Sequence, residues 1–297
     1  MGVDLSSLAS TAINILLHGV AYAMILYIVT VGLSVTMGLM GFANLAHGVF
    51  AMAGGYVLTR SMQHFGVPFE LGLVLSFVLV AAGSVVIERM LYRPLYTAGE
   101  LEQVLLSIGL IFISMAAATF LFGPQTEQLS LPGYLRGSIS VGERLFPSYR
   151  AFLICASVAV IAVLWVAIDR TSIGAKVRAA VDNTAMAEAI GINTDRLFTL
   201  TFALGSGLAG LGGAMGAEIL PIHPSYALQY LVIFLMVVSI GGLGSLKGPL
   251  VAALVLGIGD TTSKFLIPDL GAFFVYVATV AVLLWRPHGL FGRAWDS

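Results

Sequence analysis

The polar residues that interrupt this apolar chain are the ones with chemistry available to them, and they are few. Asp260 and Lys264 stand four apart, so on one helix they face each other and can pair, which lowers the cost of placing both among apolar neighbours. A proton relay needs further carboxylates or histidines in register, and none accompanies them. The five histidines (His18, His47, His64, His223 and His288) form no ligand-spaced cluster, and Cys155 is the only cysteine. Neither a metal cage nor an intramolecular disulfide follows. The three lysines come after Ala175, Leu246 and Ser263, so the chain has no Gly-Lys-Ser/Thr phosphate loop and no route of that kind to ATP hydrolysis. Gly-x-Ser-x-Gly and His-Glu-x-x-His are also missing. The chain is expected to be non-catalytic and to hold no cofactor of its own.

Two polar stretches remain. GLMGFANLAHG, Gly38 to Gly48, places Asn44 and His47 inside an apolar region and surrounds them with glycine. Polar groups at membrane depth are costly and usually face a cavity or the bundle interior, and broken helices often line transport paths. Gly41, Phe42, Asn44, His47 and Gly48 are therefore candidate residues of a solute path; the alternative is that the polar pair caps a kink and bonds backbone groups. Asn44 and His47 are three apart and share a face if that part is helical. The second stretch, Asp169 to Arg196, is the longest polar, helix-capable run in the chain. If Ile173 to Ile190 is helical, Val177, Val181 and Ala185 line one side, Gly174 lies near its start and Gly191 stands where a helix stop belongs. Gly174, Lys176, Arg178, Asp182, Glu188 and Gly191 are candidate contacts for a soluble subunit that docks there; a helical linker on lipid headgroups is the alternative.

The elements that position these stretches follow from composition. Of 297 residues 59% are hydrophobic and 10% charged, with mean hydropathy +0.99 and net charge −1. A soluble domain carries about 25% charged residues, so the solvent here is mostly lipid. Nothing basic enough for nucleic acid is present. The start, MGVDLSSLAS, lacks the positive region of a signal peptide, and the first apolar segment is expected to be retained. A span needs about 20 apolar residues. The pattern predicts Leu8–Val31, Gly32–Leu58, Leu71–Leu91, Gln103–Phe122, Arg150–Ile168, Leu197–Ala217, Tyr230–Leu246, Leu250–Ile267 and Leu270–Trp285 as spans. The fold class is all-α: a polytopic membrane protein of about eight or nine segments, with a broken or re-entrant one near Gly38–Gly48. Residues 1–297 form a single transmembrane domain, with residues 169–196 as its polar central loop.

With that loop inside, nine Lys and Arg fall inside and five outside, putting the N-terminus out and the C-terminus in. In the sixth span, Gly205, Ala209 and Gly213 make a small-xxx-small ladder, and Gly212 and Gly216 a GxxxG pair. Both permit close helix packing, within the chain or at a dimer interface; a flexible gating hinge is the alternative.

Several segments taken together resemble one family. They are Gly19–Tyr56, ERMLYRPL (Glu88–Leu95), Arg170–Leu197, GGLGSLKGPL (Gly241–Leu250) and RPHGLFG (Arg286–Gly292). Their order and spacing are similar to those of LivH-type permease subunits of branched-chain amino acid ABC importers, and the likeness covers nearly the whole chain. The resemblance implies a multi-pass subunit of the bacterial inner membrane. It would work with a second homologous permease, two cytoplasmic ATP-binding subunits that hold ATP and Mg, and a periplasmic substrate-binding protein. The solute would be a branched-chain amino acid or a similar small amino or carboxylic acid or amide. The central loop would be the coupling segment. Importer permeases often carry Glu-Ala-Ala-x-x-x-Gly there; here Ala185, Met186 and Ala187 precede Gly191, so the glycine is kept and the glutamate is not. The rival readings are a secondary transporter or a passive channel for a small polar solute.

Overall fold

The computed structural model describes residues 5–40, 44–96, 98–141 and 144–292. Its first helix, α1 (Leu5–Met40), runs for 36 residues, nine past the predicted end at Val31. Gly32 and Gly38 do not stop it, because each lies against the backbone of another segment, Gly205 and Gly244 respectively, and packing outweighs helix propensity. The chain is no longer helical at Asn44, within the predicted broken stretch Gly38–Gly48. A turn from Asn44 leads into α2 (His47–Phe65), so the second predicted span starts and ends later in the chain than hydropathy alone suggests.

Helix α3 (Phe69–Ile87) follows Pro68 and does not end in an open loop. It continues through a π-turn, Glu88–Tyr92, and a 3₁₀ turn, Arg93–Leu95, where Pro94 forbids a longer α-helix. Next come α4 (Glu100–Phe122), a hairpin of β1 (Ser138–Val141) and β2 (Arg144–Pro147), and α5 (Ser148–Arg170). The hairpin is antiparallel, with Ser138 opposite Pro147. The polar centre folds as two helices, α6 (Ser172–Asp182) and α7 (Thr184–Ala189). After it come α8 (Thr194–Gly216), the single turn α9 (Tyr226–Gln229), α10 (Leu231–Gly241), α11 (Lys247–Leu266), the turn α12 (Pro268–Gly271) and α13 (Phe274–Trp285).

Among the described residues, six helices are long and apolar enough to cross a membrane: α1, α3 with its extension, α4, α5, α8 and α11. Helices α10 and α13 are apolar but shorter. With α2, they occupy the nine stretches that hydropathy assigns.

Helix α8 is the centre of the bundle, and α1, α2 and α3 pack around it; α11 lies along α1. Helices α1 and α8 are antiparallel, since Gly32 meets Gly205, Val29 meets Gly212 and Ile25 meets Gly216. Both are mostly buried, whereas α4 and α5 turn Phe112, Ile113, Phe120, Val163, Trp165 and Val166 outward, the signature of a lipid-facing rim. One end of the bundle carries α6 and α7, the end of α1, the loop after α10 and the tail after α13. The opposite end carries the β-hairpin, the Arg60–Glu127 ion pair, the Arg150–His18 contact and a bond from the Tyr149 hydroxyl to Met215 O at 2.7 Å.

Candidate functional site

Of the five candidate path residues, Gly41 and Phe42 lie outside the described residues. Asn44 and His47 are almost fully buried, at 3% and 2% exposure. They do not share a helical face, because Asn44 precedes α2 and His47 begins it. The Tyr92 hydroxyl, from the π-turn after α3, donates to Asn44 Oδ1 at 2.8 Å. His47 Nε2 is 2.9 Å from Val29 O in α1 and donates to it. Gly48 lies against the backbone of Ala227 in α9, where an added Cβ would stand 3.1 Å from its carbonyl oxygen. Three neighbouring residues thus tie the first turn of α2 to α1, α3 and α9. They form a closed polar seam and line neither groove described below. Asn44 Nδ2, fully buried, has no hydrogen-bond partner among the described residues.

The central segment is built on caps. Thr171 Oγ1 accepts from Gly174 N at 3.1 Å and starts α6. Gly174 is buried where α6 folds back on α5, and a Cβ there would come 2.5 Å from Ile168 Cα. Asn183 breaks the run: its Oδ1 accepts from Met186 N at 2.9 Å and caps α7. This new start rotates the second half. Val177, Ala180 and Ala187 are buried and Val181 is half-buried, whereas Ala185 faces outward; the single apolar stripe predicted through Ala185 is corrected to Ala187. Gly191 takes φ +87, and the bonds Gly191 N to Glu188 O (2.9 Å) and Ile192 N to Ala187 O (3.0 Å) close α7 in the left-handed turn that glycine favours. Asn193 then caps α8 through Arg196 N at 2.9 Å.

The candidate docking residues divide by role. Lys176 and Asp182 are exposed on α6, and Met186 and Ile190 add an apolar surface beside them on the α7 side. Arg178 is not free: its guanidinium donates to Ile168 O at the end of α5 and lies 3.5 Å from Asp169 Oδ1. Glu188 accepts from the Thr194 hydroxyl at 2.6 Å, which joins α7 to the first residue of α8. Beneath the helices, Val177, Ala180, Ala187, Leu39 and Leu197 form their own core cluster, separate from the main one, with Val35 and Val181 at its edge. Helices α6 and α7 therefore rest on α1 and α8 directly.

Between α6, the end of α1, the loop after α10 and the tail after α13 lies a groove of about 780 Å³. Ser34 ties α1 to that loop: its hydroxyl is 3.0 Å from Ser245 O and 3.3 Å from Gly242 O, and Gly244 N donates to Ser34 O at 2.9 Å. The tail is held by Leu290 N to Ile240 O at 2.7 Å and Phe291 N to Gly241 O at 3.1 Å. Gly242, at φ +92, makes the reversal that admits the tail. Segments far apart in the sequence, around Gly38, Arg178, Gly244 and Phe291, converge here.

The small residues of α8 are all taken up within the chain. Ala209 is fully buried, and Cβ atoms built on Gly205, Gly212, Gly213 and Gly216 would meet Gly32, Val29, Ala51 and Ile25. That leaves the ladder no surface for a second copy.

Sequence reasoning missed Glu88, which it left without a role near the end of the predicted span Leu71–Leu91. The side chain is completely buried. Its Oε1 accepts from Tyr96 at 2.6 Å and its Oε2 from Thr199 on α8 at 2.9 Å. Burial, and then the Glu88 carboxylate itself, push the Tyr96 hydroxyl far above the usual phenol value, so it stays a donor. The only sequence signal is a glutamate directly after the apolar run of α3. Among the described residues no group of three or more His, Cys, Asp or Glu side chains could hold a metal ion, and Asp260 is paired with Lys264 at 2.7 Å.

Comparison with known proteins gives one consistent answer. The family model described as branched-chain amino acid transport system / permease component matches residues 15–283. The high-affinity branched-chain amino acid transport system permease protein BraD of Pseudomonas aeruginosa is 28% identical over 297 residues, covering 95% of this chain and 94% of that protein. The corresponding permease protein LivH of Escherichia coli (strain K12) is 26% identical over 294 residues, covering 93% and 94%. A probable LivH of Methanocaldococcus jannaschii is 24% identical over 301 residues, covering 95% and 93%. No solved structure matches.

Proposed function

This chain belongs to the family of branched-chain amino acid transport system permease components, and from that premise we propose that it is one transmembrane half of an ATP-driven importer. Its solutes are branched-chain amino acids or similar small amino or carboxylic acids and amides. A second, homologous permease supplies the other half of the path. Two ATP-binding subunits, which hold ATP and Mg, dock on α6 and α7, and a periplasmic binding protein delivers solute to the hairpin end. The chain is a single transmembrane domain of the bacterial inner membrane, with the α6–α7 end in the cytoplasm.

The observation that carries this reading is the separate core cluster under α6 and α7. A helix pair that merely floated on headgroups would need no such seat. Here a displacement of the exposed face around Lys176, Asp182 and Met186 passes through Val177 and Ala187 to Leu39 of α1 and Leu197 of α8. Those two helices flank the polar seam. Parting the bonds of Asn44 and His47 would open α2 away from α1 and α3, and the unpartnered Asn44 amide would then have a polar surface to offer. The chain's task is mechanical: no covalent step is asked of it, and the buried groups either bond each other or meet solute.

The test is reconstitution. The chain, co-expressed with its neighbouring permease and ATP-binding subunits, is placed in proteoliposomes with the binding protein and labelled leucine. Uptake that needs ATP and all subunits is expected. Solute flux through the chain alone, without ATP, would overturn the reading in favour of a channel or carrier.

A further inference from the structure

A second groove, of about 550 Å³, opens at the α6–α7 end between the extension of α3 and the start of α8. Its mouth holds Arg89, Arg93 and Arg196 with one carboxylate, Asp195. Arg93 is paired with Asp195, while Arg89 and Arg196 have no ion-pair partner among the described residues. The wall changes character along the helices: Val85 lies one turn before Arg89 on α3, and Leu200 one turn after Arg196 on α8. Farther from the arginines both helices turn apolar side chains outward, Val78 and Leu79 on α3 and Leu204 on α8. The groove is thus cationic at the border of the apolar belt and greasy where it enters the belt.

We propose that this groove binds an anionic phospholipid, with Arg89 and Arg196 on the phosphate headgroup and an acyl chain along Val85 and Leu200. Basic pockets between spans on the cytoplasmic side suit such headgroups. Arginine favours phosphate because its planar fork offers paired donors. A free phosphate would use the mouth alone and leave the apolar wall bare; an acidic protein segment would have no use for a wall that continues into the bilayer. The proposal rests on the membrane fold and not on the importer reading. It also places a lipid against Thr199, whose hydroxyl holds Glu88, so the bound headgroup would brace the junction of α3 and α8.

The test uses the full-length chain purified in mild detergent and exchanged into nanodiscs of phosphatidylcholine alone or with phosphatidylglycerol. Native mass spectrometry reads the lipid retained after partial delipidation. Wild type should keep phosphatidylglycerol in preference to phosphatidylcholine. Retention should fall about fivefold for each arginine removed in Arg89→Gln and Arg196→Gln. The variants Arg89→Lys and Arg196→Lys should recover most of it, which separates lost charge from lost fold; Arg170→Gln with Arg286→Gln should change nothing. Equal retention of both lipids, or full retention by the double glutamine variant, would overturn the proposal. So would equal thermal stabilisation by millimolar inorganic phosphate, which would assign the mouth to a free anion. Loss of co-purifying ATP-binding subunits with lipid retention unchanged would assign the surface to a protein partner instead.

Discussion

The Thr199 hydroxyl donates to the Glu88 carboxylate at 2.9 Å, across the contact between the extension of α3 and α8. Tyr96 donates to the other oxygen at 2.6 Å, so a side chain with no exposed surface is held by two hydroxyls and has, among the described residues, no ion-pair partner. The bond links α3 to the start of α8, and so to α7, because Thr199 lies five residues beyond Thr194, the residue that bonds Glu188.

Replacing Glu88 with alanine therefore leaves two hydroxyls without an acceptor and a cavity between the helices. A loss of about 3 kcal/mol is expected, read as a lowered midpoint of thermal unfolding in detergent. Glu88→Gln keeps the volume and one carbonyl acceptor, and the second hydroxyl can turn to accept from the amide. It should lose less than half as much. Equal loss in both variants would mean that the charge itself, and not the shape and bonding, holds the junction.

Close backbone packing on α8 sets an order among glycine substitutions. A Cβ on Gly213 would stand 2.5 Å from the Ala51 carbonyl carbon, with backbone as the obstacle, whereas a Cβ on Gly205 stands 3.0 Å from Gly32 O. Gly213→Ala should therefore cost more than Gly205→Ala, within the roughly 1–3 kcal/mol range of overpacked cores. Comparing unfolding midpoints of the two variants checks the order. A reversed ranking would show that α2 yields more readily than α1.

Arg178 bonds the end of α5 and sits beside Asp169, both half exposed. Exposed ion pairs contribute about 0–1 kcal/mol, so Arg178→Glu should hardly change stability. It should still tilt α6 on its seat and repel Asp169. Weakened recovery of ATP-binding subunits, or ATP hydrolysis without uptake, is the expected result. Unchanged assembly with unchanged uptake would remove Arg178 from coupling.

Asn44→Leu leaves the Tyr92 hydroxyl without its Asn44 acceptor, and His47→Phe removes the donor to Val29 O. Both are expected to abolish uptake while the complex still assembles, since each fills the seam with an apolar side chain. Full uptake by both variants would take the seam off the path.

Much of this was legible in the chain because lipid simplifies the code. Apolar runs marked nearly every helix, and Asp260 with Lys264 was readable as a pair from its spacing. The break between α1 and α2 falls inside the glycine-rich stretch Gly38–Gly48 that marked it. The end of the first span was set too early, at Val31, because only the facing backbones of Gly205 and Gly244 show that Gly32 and Gly38 are packing residues within one helix. The stripe through Ala185 failed for a local reason: Asn183 caps a new helix and resets the phase. Glu88 was hidden because a carboxylate next to an apolar run looks like a span end in water, and a π-turn carries it inward. The convergence of Ser34, Gly244 and Phe291 had no local signal at all.

Helix α1 contains no proline and is unbroken from Leu5 to Met40, which at the usual rise is about 54 Å of continuous rod. Its end at Leu39 is seated in the cluster under α6, and His18, far along toward the other end, touches Arg150. A rod without a joint transmits angle and not only force: a tilt of one degree at one end displaces the other by about 1 Å. Small rocking at α6 and α7 would thus arrive at the hairpin end as a motion comparable to the clearance between packed side chains, with no hinge needed along the way.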